Sequence, residues 1–353
     1  MGRSGPWSWL CFSLLVVGSF KVLDVAAAAQ SIVFSVELQE KRSCCRVGKR
    51  SRVPFPDPSL YYRPVIGILS HPGDGASGRL SNATDASYIA ASYVKFVESA
   101  GARVIPLIFN EPRRSSMKWV YSSLFPVSSL LALTSLTLFR WAKRGLYYDT
   151  AQDILQKVLE MNDAGKHFPL FAICLGFEIV SIMISKDEDI LEHFSGTNQA
   201  STLTFAEDMA FQGTIFQRFP PSLLAKLSKE CLVMQNHKVP TKSHLSSFFK
   251  ILTTSTDDEG QVYVSTVQAH GYPITGFQWH PEKNAFEWGV SAIPHSEDAV
   301  QVTQHAANYF ISEARKSSNR PPAGQVLANL IYNFRATYCG KAGKGYDEVY
   351  IFS

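Results

Sequence analysis

Cys174 stands between two apolar runs, in a setting that suits a catalytic nucleophile. Before it, residues 170–173 predict a short buried strand, and after it, residues 177–184 have the periodicity of a helix. Strand, cysteine, tight turn and helix form the layout of a nucleophile elbow, in which a strained turn holds the side chain at the end of a sheet. The helix N-terminus is then expected to lower the pKa of the thiol and to favour the thiolate. The alternative is a buried core cysteine, because free cysteine is among the most buried residue types.

His280 ends a second predicted strand, 274–279, and Glu282 follows it two residues later. A histidine can take a proton from a thiol near neutral pH and return it to a leaving amine. A carboxylate beside the ring can fix its tautomer and stabilise the imidazolium. Taken alone, His280 is better explained as an ordinary surface or capping histidine. Together with a cysteine at the tip of another strand of the same parallel sheet, it predicts a cysteine hydrolase.

The elements that must hold these residues alternate between strands and helices. A strand at 64–69, a helix at 85–100 and a strand at 102–108 imply a right-handed parallel unit, hence an α/β sheet. A helix at 151–162 then leads into the strand before Cys174. Further predicted elements are a strand at 231–235 that ends near His237, strands at 248–254 and 262–268, and a helix at 297–314.

One stretch between the second strand and the next helix does not fit this pattern. Residues 119–139 carry no charge, are rich in serine and leucine, and contain Pro126. The run is long enough to span a bilayer, but its serines, threonines and proline argue against a membrane helix. We interpret it as a substituted or mis-spliced segment, and treat 115–140 as atypical.

The first residues have the features of an export signal. Arg3 supplies a positive charge, residues 7–20 form a short apolar core, and the small residues at 26–29 suit a cleavage site. Asn82 opens an N-glycosylation sequon, which is usable only if the chain enters the secretory route. We therefore expect the secretory pathway, with the vacuole or the extracellular space as destination. The expected organisation is a signal peptide at 1–29, a linker or pro-segment at 30–62 and a catalytic domain at 63–353.

Composition places the chain among globular proteins, since 46% of its 353 residues are hydrophobic and 18% are charged. The net charge of +4 indicates no particular partner. The basic tract at 41–52 is better explained as a solvated linker or pro-segment than as a nucleic-acid or heparin patch. Six cysteines are present without a CxxC pair or a Cys/His metal spacing, so neither a disulfide framework nor a zinc site is expected.

Three motifs resemble a known family. They are CLGFE at 174–178, QWHPEK at 278–283 and IAASYVK at 89–95. The first two resemble the signatures of the class I glutamine amidotransferase superfamily, and together the three are most similar to its gamma-glutamyl hydrolases, in particular the plant forms. This resemblance implies a three-layer αβα sandwich with a mostly parallel central sheet.

The resemblance also implies an activity and a set of roles. The family cleaves gamma-glutamyl bonds of folylpoly-gamma-glutamates through an acyl-enzyme, as a cysteine omega-peptidase. By motif, Cys174 is the nucleophile, His280 the base and Glu282 its orienting partner, while His237 assists. Tyr93 and Glu178 match residues that shape the substrate site, although helix packing and a helix-dipole interaction explain them equally well. No metal, cofactor, nucleic acid or membrane partner is expected, and a homodimer is left open.

Two departures from the family pattern bear on activity. Residues 137–141 contain no glycine where the family has a Gly-Gly turn that contributes a backbone N–H to the oxyanion hole. Losing one such donor costs about 10²–10³ in rate. The stretch 238–244 after His237 is also shorter than the family's loop. A catalytically impaired homologue that at most binds folate polyglutamates, and an amidotransferase glutaminase, therefore remain alternatives.

Overall fold

The central feature of the fold is a mixed β-sheet that separates two hydrophobic cores. The computed structural model describes residues 56–75, 86–111, 129–132, 145–187, 189–237, 245–339 and 346–353. The predicted signal peptide, the basic tract, Asn82, the turn at 137–141 and the loop at 238–244 lie outside the described residues. The compact unit begins at Pro56, ahead of the predicted boundary at 63, and the Tyr61 N–H donates to the Arg315 carbonyl over 2.6 Å.

Fourteen strands lie within the described residues. They are β1 Val65–Leu69, β2 His71–Pro72, β3 Ser87–Ala90, β4 Arg103–Leu107, β5 Ser129–Ala132, β6 Leu170–Ile173, β7 Gly196–Ser201, β8 Thr204–Phe205, β9 Val233–His237, β10 Phe249–Thr256, β11 Val262–Ala269, β12 Ile274–Phe277, β13 Ala336–Tyr338 and β14 Glu348–Phe352. Eight of them form the main sheet in the order β4-β1-β5-β6-β12-β11-β10-β8. The run from β4 to β12 is parallel, and β11, β10 and β8 continue it antiparallel. The predicted mostly parallel α/β sheet is confirmed.

Helices cover both faces of this sheet. They are α1 Ala91–Ser99, α2 Leu146–Asp163, α3 Leu175–Ser185, α4 Pro221–Leu227, α5 Lys283–Phe286, α6 Glu297–Lys316 and α7 Ala323–Asn329, with short 3₁₀ turns at Ile215–Arg218 and Ile331–Asn333. Side chains alternate along the strands, so that Phe171 faces the core under α1 and α6 while Leu170 faces the core under α2 and α3. This is the predicted three-layer arrangement. No helix within the described ranges is long and apolar enough to cross a bilayer.

The predicted start of one helix needs correction. The helix expected at 85–100 begins only at Ala91, because Ser87–Ala90 form β3 and pair antiparallel with β14. That partner lies far away in sequence, so the local periodicity could not reveal it. The uncharged run at 119–139, which we interpret as a substituted or mis-spliced segment, includes Ser129–Ala132, and these residues form a strand that pairs in parallel with both β1 and β6. The third strand expected of an α/β sheet is therefore present in this run.

Candidate active site

The backbone at Cys174 has the geometry of a nucleophile elbow. Cys174 directly follows β6 and directly precedes α3, with φ 53° and ψ −116°, a conformation that non-glycine residues rarely adopt. Its N–H donates to the Phe277 carbonyl at the end of β12 over 2.6 Å, which ties the elbow to the neighbouring strand. Close packing supports the turn, because a Cβ on Gly276 would lie 2.5 Å from the ring of Phe177 in the first turn of α3.

The Cys174 thiol is enclosed, with 1% of the residue exposed. Its sulfur lies 3.7 Å from the Asn236 carbonyl oxygen and 3.9 Å from the Gln278 Nε2. Burial raises the pKa of the thiol well above its ordinary value, and the Glu178 carboxylate adds to the rise, whereas the Leu175 backbone N–H lowers it. The expectation of a thiolate stabilised by the helix N-terminus is therefore wrong, because desolvation outweighs the helix end.

His280 and Glu282 form a buried hydrogen-bonded pair beyond the end of β12. The His280 Nδ1–H donates to Glu282 Oε1 over 2.8 Å, and the two side chains are 2% and 0% exposed. The His280 Nε2 has no hydrogen-bond partner among the described residues, so it is left as a bare acceptor. Burial lowers the pKa of His280, and the Glu282 carboxylate offsets part of this shift.

The register of the sheet explains why these groups share one edge. Phe277 pairs with Ile173 across the parallel strands β12 and β6, so the chain leaves both strands at the same level. Cys174 is the next residue on one strand, and His280 follows three residues after the last paired position of the other. This is the edge at which α/β proteins bind ligands. The sequence predicts that the thiol and the imidazole meet at one rim because each follows a strand of one parallel sheet, and this register brings the ends of the two strands to the same level.

Tyr93 and Glu178 lie within the wall of the site. The Tyr93 hydroxyl on α1 is 3.4 Å from His280 Nδ1, and the residue is 2% exposed. Glu178 is one turn along α3 from the elbow and accepts a hydrogen bond from Gln278 Nε2 over 3.0 Å. Burial raises the pKa of Glu178 to about 8, so it is largely protonated at neutral pH. Tyr93 thus contacts His280 directly, whereas Glu178 is linked to Cys174 through Gln278.

His237 is placed beside the site without bonding to the catalytic pair. It ends β9, is fully buried, and its Nε2 lies 3.1 Å from Gln235 Oε1. Burial lowers the pKa of His237 to about 3, with a further lowering from His280. Its neighbour Asn236 approaches the Cys174 sulfur through the backbone carbonyl, so β9 forms one side of the nucleophile's surroundings.

Sequence reasoning gave no role to two buried residues within the QWHPEK motif. Gln278 bridges Cys174 and Glu178 through one amide nitrogen. Lys283 is 2% exposed, its ammonium lies 5.5 Å above the Tyr346 ring, and its charge lowers the pKa of both Cys174 and His280. Their position close to His280 in the motif was the feature of the sequence that could have indicated a role in the site. A polar residue that directly follows a buried strand, or directly follows a catalytic carboxylate, is confined to the same rim.

The described residues contain no group of three or more His, Cys, Asp or Glu side chains that could hold a metal ion. The arrangement instead provides an enclosed thiol, a neutral imidazole with an acceptor nitrogen, and a carboxylate behind the imidazole. Such a set can carry out acyl transfer through a covalent thioester.

Comparison with known proteins agrees with this chemistry. The family model of peptidase C26 matches residues 64–282. Gamma-glutamyl hydrolase 2 of Arabidopsis thaliana is 56% identical over 98% of this chain and 98% of its own length, and the gamma-glutamyl hydrolase of Homo sapiens is 32% identical over 82% and 90%. Among solved structures, the glutaminase domain of a Trypanosoma brucei CTPS with bound acivicin matches 73% of this chain and 96% of its own length. The identity is 12% and the TM-score is 0.44, so this structure is too distant to add to the fold described above. The match over most of the catalytic unit, together with full-length relatives of this identity, shows that the chain belongs to the peptidase C26 family, alongside the gamma-glutamyl hydrolases.

Proposed function

We propose that this protein is a cysteine hydrolase that cleaves gamma-glutamyl peptide bonds, with Cys174 as nucleophile, His280 as general base and Glu282 as its orienting partner. The observation that carries the proposal is the strained elbow at Cys174 on the same sheet edge as a buried His280–Glu282 pair with a bare Nε2. The names of its relatives supply the bond type.

The resting site holds a neutral thiol and a neutral imidazole. Burial raises the pKa of Cys174 and lowers that of His280, so both shifts disfavour a preformed ion pair. As the sulfur attacks the gamma-carbonyl carbon, His280 Nε2 takes the thiol proton and Glu282 stabilises the resulting imidazolium. Charge therefore develops only on the way to the transition state, where its stabilisation raises the rate.

Three further proton transfers complete the reaction. The imidazolium gives its proton to the leaving nitrogen, the C–N bond breaks, and the acyl group remains on sulfur as a thioester. A water molecule then attacks the thioester carbonyl while His280 takes its proton, and the proton returns to sulfur as the C–S bond breaks. The products are a gamma-carboxylic acid and a free amine, and the thiol is regenerated.

We assign folylpoly-gamma-glutamates as the substrate class, with Tyr93 and Glu178 shaping the site and His237 assisting. These substrates carry a carboxylate on every glutamate unit. A Glu178 side chain with a pKa of about 8 is largely uncharged at neutral pH, so it does not repel them.

We further propose that a signal at 1–29 directs the chain into the secretory pathway, that residues 30–62 are a linker or pro-segment, and that the catalytic domain at 63–353 works in the vacuole or outside the cell. Asn82 is then glycosylated. N-terminal sequencing of the mature protein and a glycosidase-sensitive mass shift, absent from Asn82→Gln, test this. A mature protein that still begins at Met1 would contradict it.

The activity is tested with purified protein and a pteroylpoly-gamma-glutamate of defined length, with products separated by mass spectrometry. We expect chain shortening by the wild type and a loss in Cys174→Ala to below about one thousandth of the wild-type rate. Cys231→Ala is the matched control, because Cys231 is a free and exposed cysteine, and it should retain full activity. A Cys174→Ala variant that still turns over would refute the assignment. Wild-type protein that binds the substrate without cleaving it would mark an impaired homologue.

A further inference from the structure

Gln235 sits at the centre of a buried polar cluster that the proposed reaction leaves without a role. The residue is fully buried on β9, two positions before His237. Its Nε2 lies 3.0 Å from the Ser201 hydroxyl and 3.3 Å from the hydroxyls of both Ser255 and Ser265. Its Oε1 lies 3.1 Å from His237 Nε2. Polar side chains from β7, β10 and β11 therefore converge on one amide.

The hydroxyl protons of the cluster indicate which end of that amide faces the imidazole. Ser255 has one hydroxyl proton, and it donates to the Thr202 carbonyl over 2.9 Å. Ser255 can then only accept from Ser265, whose hydroxyl is 3.0 Å away. Both serines thus present lone pairs to Gln235, so the amide must point its NH₂ at them and its oxygen at His237.

An amide oxygen can only accept, so the proton of a neutral His237 ring is on Nε2. Its Nδ1 is then an unprotonated acceptor, and this atom is buried without a hydrogen-bond partner among the described residues. Two titratable groups act on the charge of the His237 ring: His280 disfavours its protonation and Asp257 favours it. The Tyr263 ring packs edge-on against it, with 4.7 Å between the ring centroids. Burial outweighs the carboxylate.

We infer that Gln235 is a positioning residue that holds His237 as the neutral Nε2–H tautomer, so that Nδ1 serves the site as a hydrogen-bond acceptor for an N–H group of the substrate. This inference rests on the proposed hydrolase function for the identity of the donor. The tautomer and its dependence on Gln235 do not require activity. Because burial lowers the pKa of His237 to about 3, His237 acts in its uncharged form near neutral pH.

The test is ¹⁵N NMR of protein labelled at histidine, recorded from pH 4 to pH 8. The His237 signals are assigned as those missing from His237→Asn. We expect one imidazole that carries its proton on Nε2 and does not titrate in this range. A proton on Nδ1, or titration of His237 with an ordinary pKa, would overturn the inference, and neither readout depends on turnover. If His237→Asn does not fold, a wild-type spectrum that contains no untitrating imidazole with its proton on Nε2 would still overturn it.

Two substitutions connect the tautomer to turnover. Gln235→Glu keeps an acceptor for Nε2–H but adds a carboxylate, which should raise the pKa of His237. At acid pH His237 is then protonated, so kcat/KM should fall about tenfold there and recover as pH rises. Gln235→Met removes the acceptor and should lower kcat/KM about tenfold at all pH values. The control is Gln217→Met. In the wild type, the Gln217 Oε1 accepts from the Gly213 N–H and has no hydrogen bond to the cluster. Losses that are equal in both Gln235 variants at every pH would indicate a purely structural role and would also overturn the inference.

Discussion

Replacing Glu178 by glutamine should stabilise the protein increasingly as pH rises. Glu178 is 5% exposed, and burial raises the pKa of its carboxyl from 4.5 to about 8, against the opposing effect of the hydrogen bond from Gln278 Nε2. The glutamine side chain retains an oxygen that can accept this hydrogen bond. It removes only the ionisation, so the change isolates the free energy of placing a negative charge at this position.

The sign and size follow from proton linkage. A carboxyl whose pKa is higher in the folded than in the unfolded state destabilises the fold as pH rises above 4.5, and the loss levels off once pH passes about 8. At 1.36 kcal/mol per pKa unit, the free energy of unfolding of Glu178→Gln should exceed that of the wild type by about 2 kcal/mol at pH 6 and about 4 kcal/mol at pH 8, relative to their difference at pH 4.

Urea unfolding of both proteins at several pH values between 4 and 9 measures this difference. Glu207→Gln is the matched control, because Glu207 is exposed and the same substitution there removes a surface carboxylate rather than a buried one. A constant difference between Glu178→Gln and wild type across the range would refute the assignment of a largely protonated, buried carboxyl. So would a variant that becomes relatively less stable as pH rises.

Two further predictions concern the imidazoles. A Cβ on Gly196 would lie 2.7 Å from His237 Nε2, so Gly196→Ala should displace the imidazole ring. We expect a lower kcat/KM, measured by turnover, and a fold destabilised by about 1–3 kcal/mol, measured by urea unfolding. Gly289→Ala, where nothing lies within 4 Å, should leave both unchanged, and equal effects would contradict the explanation. Because Glu282 raises the pKa of His280, Glu282→Gln should move the acid limb of the pH–rate profile to lower pH. It should also reduce kcat at least about 10²-fold, because the imidazolium loses its carboxylate. An acid limb that does not move would exclude His280 as the titrating base.

Local sequence was sufficient for the elements on which the site depends. The strand at Leu170–Ile173 was predicted with its observed bounds, because four apolar residues end abruptly at the cysteine. The parallel β-α-β unit followed from a helical pattern between two apolar runs. These features are local, and the rules that join them, short connections and right-handed crossovers, restrict the topology to a few choices.

Some features of the fold and of the site depend on contacts between residues that are distant in sequence, or on burial, and local sequence could not predict them. The strand at Ser87–Ala90 exists because β14 pairs with it across most of the chain. The helix N-terminus at Cys174 was visible in sequence, but the complete burial that reverses its effect on the thiol pKa was not. Likewise, Gln235 and its three serines are spread over β7, β9, β10 and β11, and no spacing in the sequence shows that they meet.

The enclosure of Cys174 also bears on chemical damage. Peroxides attack the thiolate of cysteine far more readily than the thiol, and they need access to the sulfur. Cys174 is 1% exposed, and burial raises the pKa of its thiol so that the sulfur is protonated at rest, so neither condition is met. The protein should therefore keep its nucleophile reduced in an oxidising compartment, where a catalytic cysteine activated in advance would be lost to sulfinic acid.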